Sequence, residues 1–192
     1  MRRFDETAIK TPANAVTLLR LLFSIPVVIW ILQEHHATWG TFSGWLVLWC
    51  TDGLDGWLAR RDGTTRSGAF LDPLADKFLV LAGFVAVAAR SGVLPWTPVV
   101  IIAGREVFIS VFRSVVARRG ISMPARQLGK WKTNVQFFAV ALVLCPPTGH
   151  VHWLQIAALW FAAGLTLASG VDLLLAVRRP QPGSPVEVAD AL

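Results

Sequence analysis

Residues 52–77 read Asp52-Gly53-Leu54-Asp55-Gly56-Trp57-Leu58-Ala59-Arg60, then Arg61-Asp62-Gly63-Thr64-Thr65-Arg66-Ser67, then Gly68-Ala69-Phe70-Leu71-Asp72-Pro73-Leu74-Ala75-Asp76-Lys77. On a helix, residues three and four apart are neighbours. Asp52, Asp55, Gly56, Ala59 and Arg60 therefore share one stripe, and Gly68, Asp72 and Asp76 share a second. The short polar turn between them makes the two helices antiparallel neighbours, so the stripes face each other at one end of the pair. Pro73 removes a backbone donor and is comfortable only in a first helical turn, which predicts that the second helix starts, or kinks, near Asp72.

Outward from this hairpin the chain is a succession of long apolar runs. Hydrophobic residues make up 54% of the 192 and charged ones 16%, against roughly 25% charged in an ordinary soluble domain. Lipid is the solvent that suits this balance. Six segments, near 13–33, 41–61, 68–90, 95–118, 130–147 and 153–178, have the length of about 20 residues that a helix needs to cross a hydrocarbon core of ~30 Å. The expected fold is an all-α integral-membrane bundle of six transmembrane helices forming a single domain over 1–179. A tail from Pro180 to Leu192 has too little apolar surface to fold and is expected to be a disordered cytoplasmic extension. The polar start, Met1 to Pro12, is read as retained because no small-residue cleavage site follows it. It suits either a short interfacial helix or a frayed end.

The formal charge of +6 raises nucleic acid as a partner, but the basic residues gather beside the ends of apolar runs, which is membrane topology. Nearly all Lys and Arg fall at the N-terminus, at 60–68, at 118–132 and at 178–179, while the opposite ends carry only Arg90. Basic loops stay cytoplasmic, so both termini are expected inside. Trp39, Trp96 and Trp153 each fall at an opposite end, where indole rings mark the outer lipid–water interface. His35, His36, His150 and His152 map to those outer ends too and are read as surface residues. Cys50 and Cys145 form no CxxC or zinc-site spacing, which excludes a disulfide framework or thiolate metal site.

Four carboxylates at one end of a membrane hairpin need an explanation. Each charge costs about 2.5–3.5 kcal/mol at the bilayer centre, less near the interface, and like charges repel. A cation must offset them. Oxygen ligands without histidine or cysteine suit magnesium, manganese or calcium, held singly or as two ions about 3.5–4 Å apart. Gly56, Ala59 and Gly68 fit close helix packing when taken alone. Beside the aspartates they also open room for a flat base or a diphosphate.

The pattern Asp-x-x-Asp-Gly-x-x-Ala-Arg followed by Gly-x-x-x-Asp-x-x-x-Asp resembles the signature of the CDP-alcohol phosphatidyltransferase family. Asp52, Asp55, Gly56, Ala59, Arg60, Gly68, Asp72 and Asp76 fill every fixed position. The resemblance implies a six-helix enzyme of the bacterial plasma membrane, usually a homodimer, that works on magnesium or manganese at a cytoplasmic face. It implies Asp52, Asp55 and Asp72 as metal ligands, Asp76 as a contributor to a second metal position or the general base, and Arg60 at the nucleotide diphosphate. Asn14, Thr17 and Arg20 resemble the family's Asn-x-x-Thr-x-x-Arg start, which lines the nucleotide pocket with Gly56, Ala59 and Gly68.

A second polar constellation, Gly104-Arg105-Glu106, Arg113 and Gln127-Leu128-Gly129-Lys130-Trp131-Lys132-Thr133, lies in the fourth and fifth spans. Arg105, within an apolar run, should face an anion or Glu106. Arg105, Arg113, Lys130 and Lys132 suit a phosphate clamp, and the two lysines also suit positive-inside anchors. The strings are similar to the branch of the family that makes phosphatidylglycerophosphate, which implies CDP-diacylglycerol as donor and sn-glycerol 3-phosphate as acceptor. Rivals within the family are a cardiolipin synthase or an inositol-phosphate enzyme. From another class, a divalent-cation transporter also uses intramembrane carboxylates, but nearer the bilayer centre.

Overall fold

The computed structural model describes residues 12–62, 66–92, 94–118 and 127–178; for 12–14, 52, 54–62, 66–74, 117–118, 130 and 177–178 it describes the backbone path alone. The N-terminal segment, the basic stretch 119–126 and the tail from Pro180 lie outside the described residues.

Six helices follow one another: α1 (Pro12–Gln33), α2 (Trp39–Asp62), α3 (Arg66–Ser91), α4 (Trp96–Arg118), α5 (Gln127–Leu144) and α6 (His152–Arg178). At 1.5 Å per residue they run roughly 27 to 40 Å. Two sets of three result. In one, α1 lies along both α2 and α3; in the other, α6 lies along both α4 and α5. The sets meet where α3 touches α4 and α5 and where α2 touches α5.

The seam between the sets is the core. Trp45 and Leu48 of α2, Leu79, Phe84 and Val87 of α3, and Phe137, Val140 and Leu144 of α5 are buried there, joined by Ile102 of α4 and Leu159 of α6. An indole buried among hydrocarbons must still satisfy its N–H. Trp45 Nε1 does so by donating to the Phe137 carbonyl oxygen, 3.0 Å away. The rings of Trp45 and Phe137 lie 5.3 Å apart, and Trp49 stacks on the same phenyl ring at 6.1 Å and 9°. Gly83 makes the arrangement possible, since a Cβ at that position would strike the Trp45 indole.

Two boundaries differ from the sequence expectation. Helix α3 starts at Arg66 and continues through Pro73, so no helix start falls near Asp72. Packing along α1 supports the helix past one lost backbone bond, as tertiary contacts commonly do. Helix α5 stops at Leu144 rather than reaching Pro147, because the residue ahead of a proline is driven out of helical geometry. The turn after it is fixed by the Gly149 amide donating to the Cys145 carbonyl at 2.7 Å and the Thr148 hydroxyl donating to Leu142 O at 2.6 Å. Gln155 Nε2 closes the turn onto α6 by donating to Thr148 O at 3.0 Å.

Among the described residues, α1 over Ala15–Gln33 and α6 over His152–Ala176 are long and apolar enough to cross a membrane. The other four helices have comparable length but carry charged residues within their apolar stretches. The outer surface is strongly apolar: Leu19, Leu22 and Phe23 on α1, Val107, Phe108 and Val111 on α4, and Phe161, Val171 and Leu175 on α6 are all exposed. Contiguous exposed hydrocarbon of this extent suits a lipid surround.

Candidate functional site

The motif read from the sequence falls on the end of α2 and the start of α3, and among the described residues both helices pack along α1 rather than along each other; the facing of the two aspartate stripes lies outside the described residues. Asp52, Asp55, Gly56, Ala59 and Arg60 lie on the last turns of α2, and Gly68, Asp72 and Asp76 on the first turns of α3. The side chains of Asn14, Asp52, Asp55, Ala59, Arg60, Asp72 and Lys130, and the surroundings of Gly56 and Gly68, lie outside the described residues. Asp76 is described, and it is not alone. Arg20 of α1 reaches it with Nη2 3.1 Å from Oδ1. The guanidinium is almost fully enclosed whereas the carboxylate is about one-third exposed, so the pair forms a wall with one open side. Thr17, one turn earlier on α1, is buried as well. Helix α1 thus presents a polar edge to the aspartate motif because α1 packs along α3.

The next residue on α3 turns the other way. Lys77 Nζ donates to Ser110 Oγ of α4, and that hydroxyl donates to the Glu106 carbonyl oxygen at 2.5 Å. Glu106 is the centre of the second constellation. Its carboxylate, buried to 3% exposure, accepts from Arg105 Nη1 at 3.1 Å and pairs with Lys132 Nζ of α5. Arg105 also donates through Nη2 to Ser169 Oγ of α6 at 2.8 Å. Its Nε has no hydrogen-bond partner among the described residues. Gly170 leaves room for that stem, for a Cβ there would lie 3.1 Å from Nε.

Residues of α3, α4, α5 and α6 are therefore linked in one polar network around Glu106. A buried Glu with two cations carries a net positive charge; Lys77 lies within electrostatic range of that carboxylate, and the exposed Arg113 within range of Lys77 and Arg105. Isolated buried ions are costly, while paired and hydrogen-bonded ones are tolerated. Among the described residues cations outnumber carboxylates in this cluster, an arrangement that suits an anion.

Sequence reasoning named Arg20, Asp76, Arg105 and Lys132 without their partners in this arrangement, apart from Glu106 beside Arg105. It did not single out Lys77, Ser110 or Ser169. Lys77 carried a signal, being an ammonium next to a motif aspartate in an apolar helix. The two serines carried none, since each matters only through a neighbour on another helix.

The described part of the site, Arg20 with Asp76 and the cation cluster braced by Glu106, has the chemistry to meet anionic molecules. The chain belongs to the CDP-alcohol phosphatidyltransferase family, whose model matches residues 10–168. Among its relatives is a "Probable phosphatidylglycerophosphate synthase" from Mycobacterium tuberculosis H37Rv, 38% identical over 83% of this chain and 78% of that protein. The "CDP-diacylglycerol--glycerol-3-phosphate 3-phosphatidyltransferase" of Escherichia coli K12 is 38% identical over 86% of this chain and 95% of its own length. A protein of the same name from Pseudomonas fluorescens is 36% identical over 85% and 88%.

Proposed function

We propose that this chain is a six-span bacterial membrane enzyme, with both termini and the site cytoplasmic, that transfers the phosphatidyl group of CDP-diacylglycerol to sn-glycerol 3-phosphate. The products are phosphatidylglycerophosphate and CMP. Family membership and the relatives' names support the reaction. The structural observation that carries the choice of acceptor is the adjacency of Asp76 and Lys77. One faces the Arg20 side of the motif and the next faces the Glu106 cluster, so the donor and acceptor phosphates would be handled one residue apart on α3.

Asp52, Asp55, Asp72 and Asp76 would hold magnesium, or manganese, and an all-carboxylate donor set fits either ion. The ion supplies charge neutralisation at the diphosphate. Arg60, Asn14, Thr17, Arg20, Gly56, Ala59 and Gly68 would hold the CDP moiety. Arg105, Arg113, Lys130 and Lys132 would hold the acceptor's phosphate, with Glu106 keeping Arg105 and Lys132 extended toward it. Asp76 takes the proton from the acceptor hydroxyl. The new oxygen–phosphorus bond forms at the lipid-side phosphorus as the bond to CMP breaks, and positioning with charge stabilisation provides most of the acceleration. The enzyme works as a homodimer in this reading.

The test is CMP release by purified protein with CDP-diacylglycerol, magnesium and a panel of acceptors. Release with glycerol 3-phosphate alone among the acceptors is expected. Release only with phosphatidylglycerol or with an inositol phosphate would reassign the acceptor, and ion uptake by vesicles without nucleotide would reassign the class. Lys132→Ala should raise KM for glycerol 3-phosphate by about tenfold or more, the loss of one charge-assisted phosphate contact, with little change in KM for the lipid donor.

A further inference from the structure

The end of the bundle opposite the aspartates contains a second polar assembly. A cavity of about 330 Å³ is lined by His35 and His36 from the α1–α2 turn, by His150 and His152 from the α5–α6 turn and the start of α6, and by Arg90 at the end of α3. The chain has four histidines, and all four are in this cavity although they come from segments more than a hundred residues apart. The α5–α6 turn approaches the α1–α2 turn at Gly149, where a Cβ would strike Ala37 Cβ and lie 3.1 Å from Cys145 O. Arg90, half-buried, is anchored by donating from Nη1 to the His36 carbonyl at 3.2 Å. Among the described residues this is the hydrogen bond its guanidinium makes.

The charged and titratable groups facing this space are Arg90 and the four histidines, with Glu34 at the end of α1 within electrostatic range of Arg90. Glu34 is engaged, since Oε1 accepts from the Trp30 indole N–H at 3.1 Å. The balance is cationic. Among the described residues no three histidine, cysteine or carboxylate side chains converge as a metal site would require, so the imidazoles are arranged as separate donors around a volume rather than as ligands to a point. Trp39 and Trp153 are exposed at the same end, and such rings sit at the level of lipid head groups.

We infer that this cavity binds a phosphate-bearing anion, with Arg90 as the fixed cation and His35, His36, His150 and His152 as further hydrogen-bond donors around it. A guanidinium provides a fork suited to phosphate oxygens, and each imidazole brings a ring N–H donor. Two sources offer this chemistry at such a position: the head group of an anionic phospholipid, or free phosphate. The inference stands apart from the proposed reaction, whose aspartates and cation cluster lie at the other end.

The test exploits the histidine count. In untagged full-length protein labelled at histidine and reconstituted in lipid nanodiscs, histidine ring NMR signals report this cavity and no other site. One arm adds inorganic phosphate to discs of phosphatidylcholine; the other replaces part of that lipid with phosphatidylglycerol. At least two histidine signals should move in one arm. Movement with phosphate assigns the free anion, and movement with phosphatidylglycerol alone assigns the lipid. Arg90→Gln should raise the half-saturating concentration by about tenfold, and Arg90→Lys by less. Should no histidine signal respond in either arm, or should Arg90→Gln bind as the parent does while its helical circular dichroism is unchanged, the inference is overturned.

Discussion

The two ends of the bundle solve the problem of charge in opposite ways. At the aspartate end, buried charges are matched side chain to side chain: Arg20 to Asp76, and Arg105 and Lys132 to Glu106. At the histidine end, the polar groups are mostly exposed, and Arg90 is held by a backbone carbonyl rather than by a carboxylate. The first arrangement is brittle, because removing one partner strands another in a poorly solvating interior. The second is tolerant, because water and head groups can replace what is lost. Sensitivity to mutation should follow this division.

The sharpest break is expected at Asp76. Asp76→Asn removes the proposed base while keeping the shape of the side chain, and general-base catalysis contributes on the order of 10² to 10⁴ in rate. CMP release should drop about a thousandfold; a variant with a tenth of the parent rate would remove Asp76 from the role. Next comes Glu106→Ala, which leaves Arg105 and Lys132 enclosed without their counter-ion. A loss of about 3 kcal/mol is expected, visible as a lower midpoint of thermal unfolding in detergent, and Glu106→Gln should recover part of it by still accepting from Arg105. Third, Gly83→Ala tests the seam between the ends. The added methyl meets the Trp45 indole, and overpacking of this kind costs about 1–3 kcal/mol. An unchanged midpoint would mean that the indole has somewhere else to go. Smallest is Ser43→Ala on the exposed first turns of α2, where a hydroxyl bond to Trp39 O is lost at the histidine end. Less than about 0.5 kcal/mol is expected, and a larger shift would blur the distinction between the ends.

Much of the fold was legible before any coordinates. The periods of apolar residues place α1, α2, α3, α4 and α6 within a residue or two of their observed limits, because long runs ended by Gly, Pro and charge leave little freedom. Helix α5 is displaced by three residues toward the N-terminus, since Pro146 ends it at Leu144 rather than at 147, and Gln127 to Gly129 join the helix despite their polarity. The spacing of the aspartates is a local property that the sequence states directly, while the facing of their two stripes falls on side chains outside the described residues. The pairing of Arg20 with Asp76, of Lys132 with Glu106 and of Arg105 with Ser169 was not legible. Each joins different helices, and nothing in the periodicity of either helix states which face of the other it meets. The four histidines show the same limit: their shared end was readable from topology, their gathering around one cavity was not.

The Trp45 indole can be considered as a fulcrum. It ties α2 to α5 by one hydrogen bond and is held between Gly83 and Phe137. Asp52 lies two helical turns further along α2, about 10 Å from that point. A tilt of about 10° around the indole would move the aspartate backbone by roughly 2 Å, ten times the tolerance of about 0.2 Å that metal–ligand distances allow. In the proposed reaction, an aromatic ring with no part in the chemistry would thereby set the alignment of an aspartate assigned to hold the metal, and small changes in bilayer thickness that rock α2 would register first as a change in catalytic rate.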